Sequence, residues 1–227
     1  MNDVIKLLQS HRSIRKFSDK LIGQSTINTI IASGQAAATS SNVQATTVIQ
    51  VSDPSRREQL AAFAGGQKYV ASAGAFLVFC ADLNRSAQAC TMQGGSFTQG
   101  MTEHFIIATV DVALFAQNCT IAAESLGMGI CYIGGLRNNP ADVSALLSLP
   151  ENVYPVFGLC LGYPEQDPEV KPRLPPNTVL MQEKYDASVL MPGIAAYDER
   201  IREYYRSRTG GKKDSCWSEE MKALVGK

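Results

Sequence analysis

Three short stretches carry side chains that could do chemistry. His11-Arg12-Ser13-Ile14-Arg15 places three basic side chains and a hydroxyl within five residues. A guanidinium fork matches a pair of phosphate oxygens, so this stretch suits an anion, with Arg12 and Ser13 addressing a phosphate while Arg15 points elsewhere. Lys171-Pro172-Arg173 sets two cations on either side of a rigid proline, and in an extended segment both can converge on one ligand. Tyr132-Ile133-Gly134-Gly135 ends an apolar run in paired glycines, which let a ligand approach the backbone and meet its N–H groups. Each stretch also has a plainer reading: a solvated basic patch, ordinary loop charges, a tight turn. Together they describe anion-binding groups without a nucleophile, a base or a metal set, which is what a protein needs when a cofactor carries the reaction.

Other chemistries are excluded by what the chain lacks. Neither Gly134-Gly135 nor Gly65-Gly66-Gln67 makes a G-x-G-x-x-G fingerprint, and there is no Walker A, G-x-S-x-G or H-E-x-x-H motif. Six cysteines without a C-x-x-C pair, and only two histidines, argue against structural zinc, and no metal is expected. Cys80, Cys119, Cys131 and Cys160 lie in apolar runs and read as small buried hydrophobes. Lys plus Arg and Asp plus Glu both total 21, so no global positive field exists to hold nucleic acid, and 45% hydrophobic residues exclude a disordered chain. The first fifteen residues show no secretory pattern. The longest apolar stretch, 105–123, contains Asp111, Gln117 and Asn118, which argues against a membrane span. Reduced thiols and these absences point to the cytoplasm.

The elements that must position these groups are readable in outline. Residues 3–10 suit a short amphipathic helix, and Ser25 suits the cap of a second one bearing Ile27, Ile30, Ile31 and Gly34. Residues 36–42 form a small polar loop before a β-branched strand at 46–51. Asp53-Pro54 opens a helix that Gly65-Gly66 ends, and 75–81 is a strand covered on both faces. A Gly- and Thr-rich loop spans 91–100, and the longest helix runs 103–126 with small residues throughout. Strands follow at 130–133 and 153–162, with a helix from Asn139-Pro140 between them. The proline-rich tract 163–192 reads as an extended arm, and helices follow at 194–206 and 217–225. The few strands fit an α+β sandwich with a small mixed β-sheet flanked by helices better than a doubly wound fold. The chain reads as one domain, 1–227, whose arm embraces a second copy in a homodimer.

With HRSIR at 11–15, TSSNVQ at 39–44, GGQKYV at 65–70, VFCADLNR at 78–85, YIGGLRNN at 132–139, FGLCLGYP at 157–164, KPRLP at 171–175 and YDERIREYYRSR at 197–208, the chain resembles the nitroreductase family. The likeness is strongest to its NADPH-dependent, oxygen-insensitive nitroreductase and flavin reductase group. The resemblance implies an intertwined α+β homodimer with FMN at the subunit interface. It implies that Arg12, Lys171 and Arg173 hold the FMN phosphate, with His11 and Ser13 alongside, and that Arg15 lies near the pyrimidine edge. Gln67, with Tyr69 in the same motif, would meet the ring system, and the Gly134 amide would face flavin N5 with Tyr132, Ile133 and Gly135 beside it. Thr39, Ser40 and Ser41 would come from the partner. Arg208 would favour NADPH through its 2′-phosphate, assisted by Lys212 and Lys213.

The implied mechanism is ping-pong: NADPH reduces FMN and leaves, and a nitro compound, quinone, chromate or free flavin takes the electrons. A flavin reductase and a non-catalytic flavin-binding redox sensor are the alternatives. Two departures bear on oxidant preference: a basic residue in the tail of some relatives has no counterpart here, and Asn42 stands where others place an aromatic.

Overall fold

Eight consecutive buried residues, Ala75–Asp82, make β2 the strand around which the fold is layered. In the computed structural model, which describes residues 1–226, four strands form one sheet: β1 (Thr46–Gln50), β2 (Ala75–Asp82), β3 (Gly129–Ile133) and β4 (Val153–Gly162), in the order β1-β2-β4-β3. The period-2 alternation of a strand splits β2 between two cores. Ala75, Leu77, Phe79 and Ala81 face one, and Phe76, Val78 and Cys80 the other.

The first core lies under α2 (Gln24–Gln35) and α6 (Thr102–Ser125), and the second under α3 (Pro54–Phe63), α4 (Tyr69–Ser72) and α7 (Pro140–Leu146). The short helices α1 (Asp3–Gln9) and α5 (Asn84–Met92) complete this part. Contacts divide the chain into two units, Met1–Asp167 and a second from Pro168 on, where the sequence reads as a single domain. The second unit holds α8 (Pro176–Val179), α9 (Leu190–Thr209) and α10 (Trp217–Val225). Its own small core is Tyr197, Ile201, Tyr204, Tyr205 and Cys216, with Leu174 and Trp217 against it.

Several expectations need correction. All strand pairs are antiparallel, so the sheet is not mixed. The parallel component is one isolated bridge, Ser13 to Ile130. Gly23, not Ser25, caps α2, without a side-chain bond. Residues 84–92 are helical, which shortens the expected loop. Helix α9 starts at Leu190 because Pro192 falls in its first turn, where no N–H partner is needed.

Helix α6 is long and apolar enough to cross a membrane by length and composition alone. Its inner stripe, however, is Ala108, Asp111, Val112, Ala116, Cys119, Thr120 and Ala123, all buried at helical spacing. The small side chains admit α2 so closely that a Cβ on Gly34 would strike Phe115 and Cys119. The outer stripe, Phe105, Ile106, Val110 and Leu114, is exposed.

Candidate functional site: a basic segment pinned to β3

The segment 11–15 is fixed by backbone and by one apolar plug. The Ile14 amide donates to the Ile130 carbonyl at 2.8 Å, and Ile14 itself is 4% exposed. A Cβ on Gly129 would lie 2.5 Å from Ile14 Cγ1, so β3 must begin with glycine for the segment to lie against it. With Ile14 turned inward, the flanking polar side chains stay at the surface. His11 Nδ1 meets Glu124 Oε1 at 2.6 Å. Arg12 donates to the Ser10 carbonyl at 3.3 Å and pairs with Asp167. Arg12, Ser10, Glu124, Gly129 and Asp167 line a cavity of about 590 Å³. The Arg15 guanidinium stands 5.9 Å from the centroid of the Tyr69 ring.

Tyr69 belongs to a second segment brought to the same end of the sheet. Gly65 and Gly66 adopt φ of +83° and +78°, a left-handed pair that glycine adopts without a steric penalty. The turn they make returns both the Gly66 and the Gln67 amide to the Ala61 carbonyl. The Tyr69 hydroxyl then donates to Gln67 Oε1 at 2.9 Å. That bond engages the carbonyl oxygen of the Gln67 amide and orients its NH₂ away from Tyr69. Burial holds the Tyr69 hydroxyl above its usual pKa, with Arg15 pulling the other way. Arg57, which sequence reasoning missed, ties this segment down: it donates to the Val70 carbonyl at 3.0 and 2.9 Å and to the Ala73 carbonyl at 2.5 Å. Burial pulls its guanidinium below the ordinary value.

The glycine turn after β3 sits against that second segment. A Cβ on Gly135 would come 2.6 Å from the Ala64 carbonyl oxygen, so any larger residue would push the two apart. Residues Gly134–Asn138 form a 3₁₀ turn, whose first N–H groups have no partner within it. Arg137 braces the turn through the Val156 carbonyl at 2.8 Å. Ile133 is fully buried, so its side chain belongs to the core and only its backbone is available. The Tyr132 side chain points to the opposite face: Thr120 donates to its hydroxyl at 3.0 Å, and it packs edge-on against Phe157. Cys131 faces Cys160 across the β3–β4 ladder, and burial raises both thiols.

The loop 39–45 is organised by a residue that the sequence reading used only against a membrane span. Asp111, 3% exposed, accepts from Thr39 Oγ1 at 2.6 Å and from the Ser40 and Ala45 amides, each at 3.1 Å. Thr39 Oγ1 also accepts from the Gln44 amide, so its one donor and one of its two acceptor sites are engaged. Ser41, Asn42 and Gln44 all hold positive φ, and their conformation depends on these anchors. Arg85 adds bonds to the Gln44 and Thr46 carbonyls and to Thr47.

In the second unit the cations differ in what they already hold. Lys171 donates to the Tyr205 hydroxyl at 2.8 Å, and Arg173 folds back onto the Lys171 carbonyl at 2.7 Å. Lys213 pairs with Glu220 at 2.6 Å and lies 3.7 Å from the centroid of the Tyr205 ring. That pairing raises the Lys213 ammonium and holds the Glu220 carboxyl below its usual range. Arg202 and Arg206 share Asp214. Arg208 donates to the Tyr204 hydroxyl at 3.0 Å. Among the described ion pairs, neither Arg208 nor Lys212 has a carboxylate.

Comparison with known proteins reads the same two parts. The Nitroreductase family model matches residues 8–163, and that of the Nitroreductase family, C-terminal domain, matches 171–227. The chain is 46% identical to an NADPH-flavin oxidoreductase of Vibrio harveyi, over 97% of its own length and 90% of the relative's. It is 42% identical to an oxygen-insensitive NADPH nitroreductase of Salmonella typhimurium, over 99% and 92%. The solved structure of NfrA1 from B. megaterium superposes with a TM-score of 0.96 at 44% identity, covering 99% of this chain and 93% of that one. Matched in both parts and across nearly the full length of these relatives, the chain belongs to the nitroreductase family.

Proposed function

We propose that this protein is an NADPH-dependent, FMN-containing oxidoreductase acting on nitro compounds and related oxidants. The observation that carries the reading is the junction at β3: Ser13 bridges Ile130, Gly135 abuts Ala64, and Arg15 stands over Tyr69, which in turn orients Gln67. The donor set fits FMN. It offers guanidinium and imidazole groups for a phosphate, an amide NH₂ for the ring system, and the N–H groups of a turn whose paired glycines carry no side chains of their own. Bound FMN supplies the chemistry, accepting hydride from NADPH and passing electrons to the oxidant.

The protein's residues bind and orient. Arg12, with His11 and Ser13 beside it, holds the phosphate, and Lys171 and Arg173 are assigned to the same role by family resemblance. Arg15 places positive charge where negative charge develops on reduction. Ile133, Gly134 and Gly135 contribute backbone, and Tyr132 contributes only backbone because its side chain is turned to Thr120. Ser40 and Ser41 serve the partner's site. Thr39 serves by shaping their loop, since its hydroxyl is already committed to Asp111 and Gln44. The homodimer reading is supported by the exposed apolar stripe of α6, and six free cysteines suit the reducing cytoplasm.

Arg208 and Lys212 are the cations free to meet the NADPH 2′-phosphate, whereas Lys213 is engaged by Glu220. The names of the Vibrio and Salmonella relatives favour two oxidants, free flavin and nitro compounds. The test is stopped-flow bleaching of the bound flavin near 450 nm, expected to be rapid with NADPH and slower with NADH. Turnover of a nitroaromatic against free FMN then ranks the oxidants. A protein that binds FMN but is bleached by neither nucleotide is a flavin-binding sensor and not a reductase.

A further inference from the structure

We propose that Glu124 is a positioning residue for the phosphate end of the site. It holds the His11 ring by Nδ1 so that Nε2 is the only ring nitrogen left to meet the FMN phosphate. The inference rests on the FMN reading above and adds to it a residue on a different element, 113 positions away in sequence.

Three observations carry it. First, the contact is short, 2.6 Å, and the Glu124 side chain is only 12% exposed while His11 is 30% exposed, so the acid is the more buried partner and the ring the more accessible one. Second, Glu124 occupies the last turn of α6, where the helix presents its unpaired carbonyls and a carboxylate is disfavoured. Among the described residues, its hydrogen-bonded side-chain partner is His11. A carboxylate at the wrong end of a helix, largely out of water, is tolerated because that one partner compensates it.

Third, the neighbouring cation is treated differently. Arg12 is paired with Asp167, which is 82% exposed, so an incoming phosphate can displace that carboxylate into solvent. Glu124 has no such freedom. With Nδ1 held at Glu124, Nε2 is the ring nitrogen placed to donate to a phosphate oxygen.

The sign of the effect separates this role from simple electrostatics. A negative charge near a phosphate repels it, so a Glu124 that did nothing through His11 would weaken FMN binding, and its removal would strengthen it. The experiment titrates the protein, stripped of flavin, with FMN and with riboflavin, which lacks the phosphate, and follows quenching of flavin fluorescence. Glu124→Gln and Glu124→Ala are expected to lower FMN affinity about tenfold, as loss of the partner behind a ligating histidine does. Riboflavin affinity stays unchanged and shows that the fold is intact. His11→Ala loses the same amount, and the double variant loses no more.

Losses that add in the double variant, an FMN-to-riboflavin ratio unmoved by Glu124→Gln, or tighter FMN binding would each overturn the proposal. A wild-type protein that binds FMN no tighter than riboflavin would instead overturn the phosphate reading beneath it.

Discussion

Replacing Asp111 by alanine tests whether one buried carboxylate holds the 39–45 loop in place. The side chain accepts from two amides and one hydroxyl, and the Ala45 amide is fully buried. Stranding that amide costs roughly 1–3 kcal/mol, and the part-buried Ser40 amide and Thr39 hydroxyl add roughly 0.5–1.5 kcal/mol each. Alanine is the better helix former and returns about 0.5 kcal/mol. The expected net loss is therefore about 2–5 kcal/mol, and a mid-range value lowers Tm by about 7–14 °C for a chain of this size. Urea unfolding followed by far-UV circular dichroism measures the loss, and hydrogen exchange at the Ser40 and Ala45 amides locates it. Thr39→Val removes one donor to Asp111 and the acceptor of the exposed Gln44 amide, leaves the Ala45 amide bonded, and should cost less. If Asp111→Ala falls within about 0.5 kcal/mol of wild type and the Ala45 amide stays protected, the loop is held by something else and the reasoning fails.

Two further predictions concern other parts of the chain. Arg208→Ala should raise the KM for NADPH and leave that for NADH nearly unchanged, while Lys213→Ala, whose charge is already neutralised by Glu220, should have the smaller effect on NADPH; the reverse order in steady-state kinetics would exchange their roles. Burial pushes the Cys80 and Cys119 thiols up to about 12, so at pH 8 only about one in ten thousand is thiolate, and a disulfide reagent should titrate Cys90 in the native protein and reach these two only after denaturation.

Local signals in the sequence were reliable where one residue settles the geometry by itself. Asp53-Pro54 gives α3 its N-terminus because the aspartate side chain accepts from the Arg56 amide and proline fixes the first helical φ. The apolar run at 75–81 reads as a doubly covered strand because nothing in it can face water. What escaped was pairing at a distance. No local pattern tells a parallel from an antiparallel neighbour, so the sheet was expected to be mixed, and the residues of 11–15 gave no sign of their bridge to Ile130.

Asp111 reads as a polar interruption of an apolar run until its partners, 66 to 72 positions away, are in place. Lys213 reads as a free cation until Glu220 closes on it from the next helix. Tyr132 is different: strand alternation alone puts its side chain on the face opposite Cys131 and Ile133, so a parity argument could have found its direction.

The side-chain pairs that join the basic segment to other elements are long in sequence. His11 to Glu124 closes 113 residues and Arg12 to Asp167 closes 155. Loops of this size cost only a little more entropy than shorter ones, but they slow the search, because nothing local rewards the chain until both ends have met. During synthesis the basic segment is made more than a hundred residues before β3 and must wait for that strand before it has anything to lie on. The cradle is thus a late product of folding, and mutations that slow β3–β4 pairing should deplete cofactor-loaded protein in cells before they change the stability of the finished molecule.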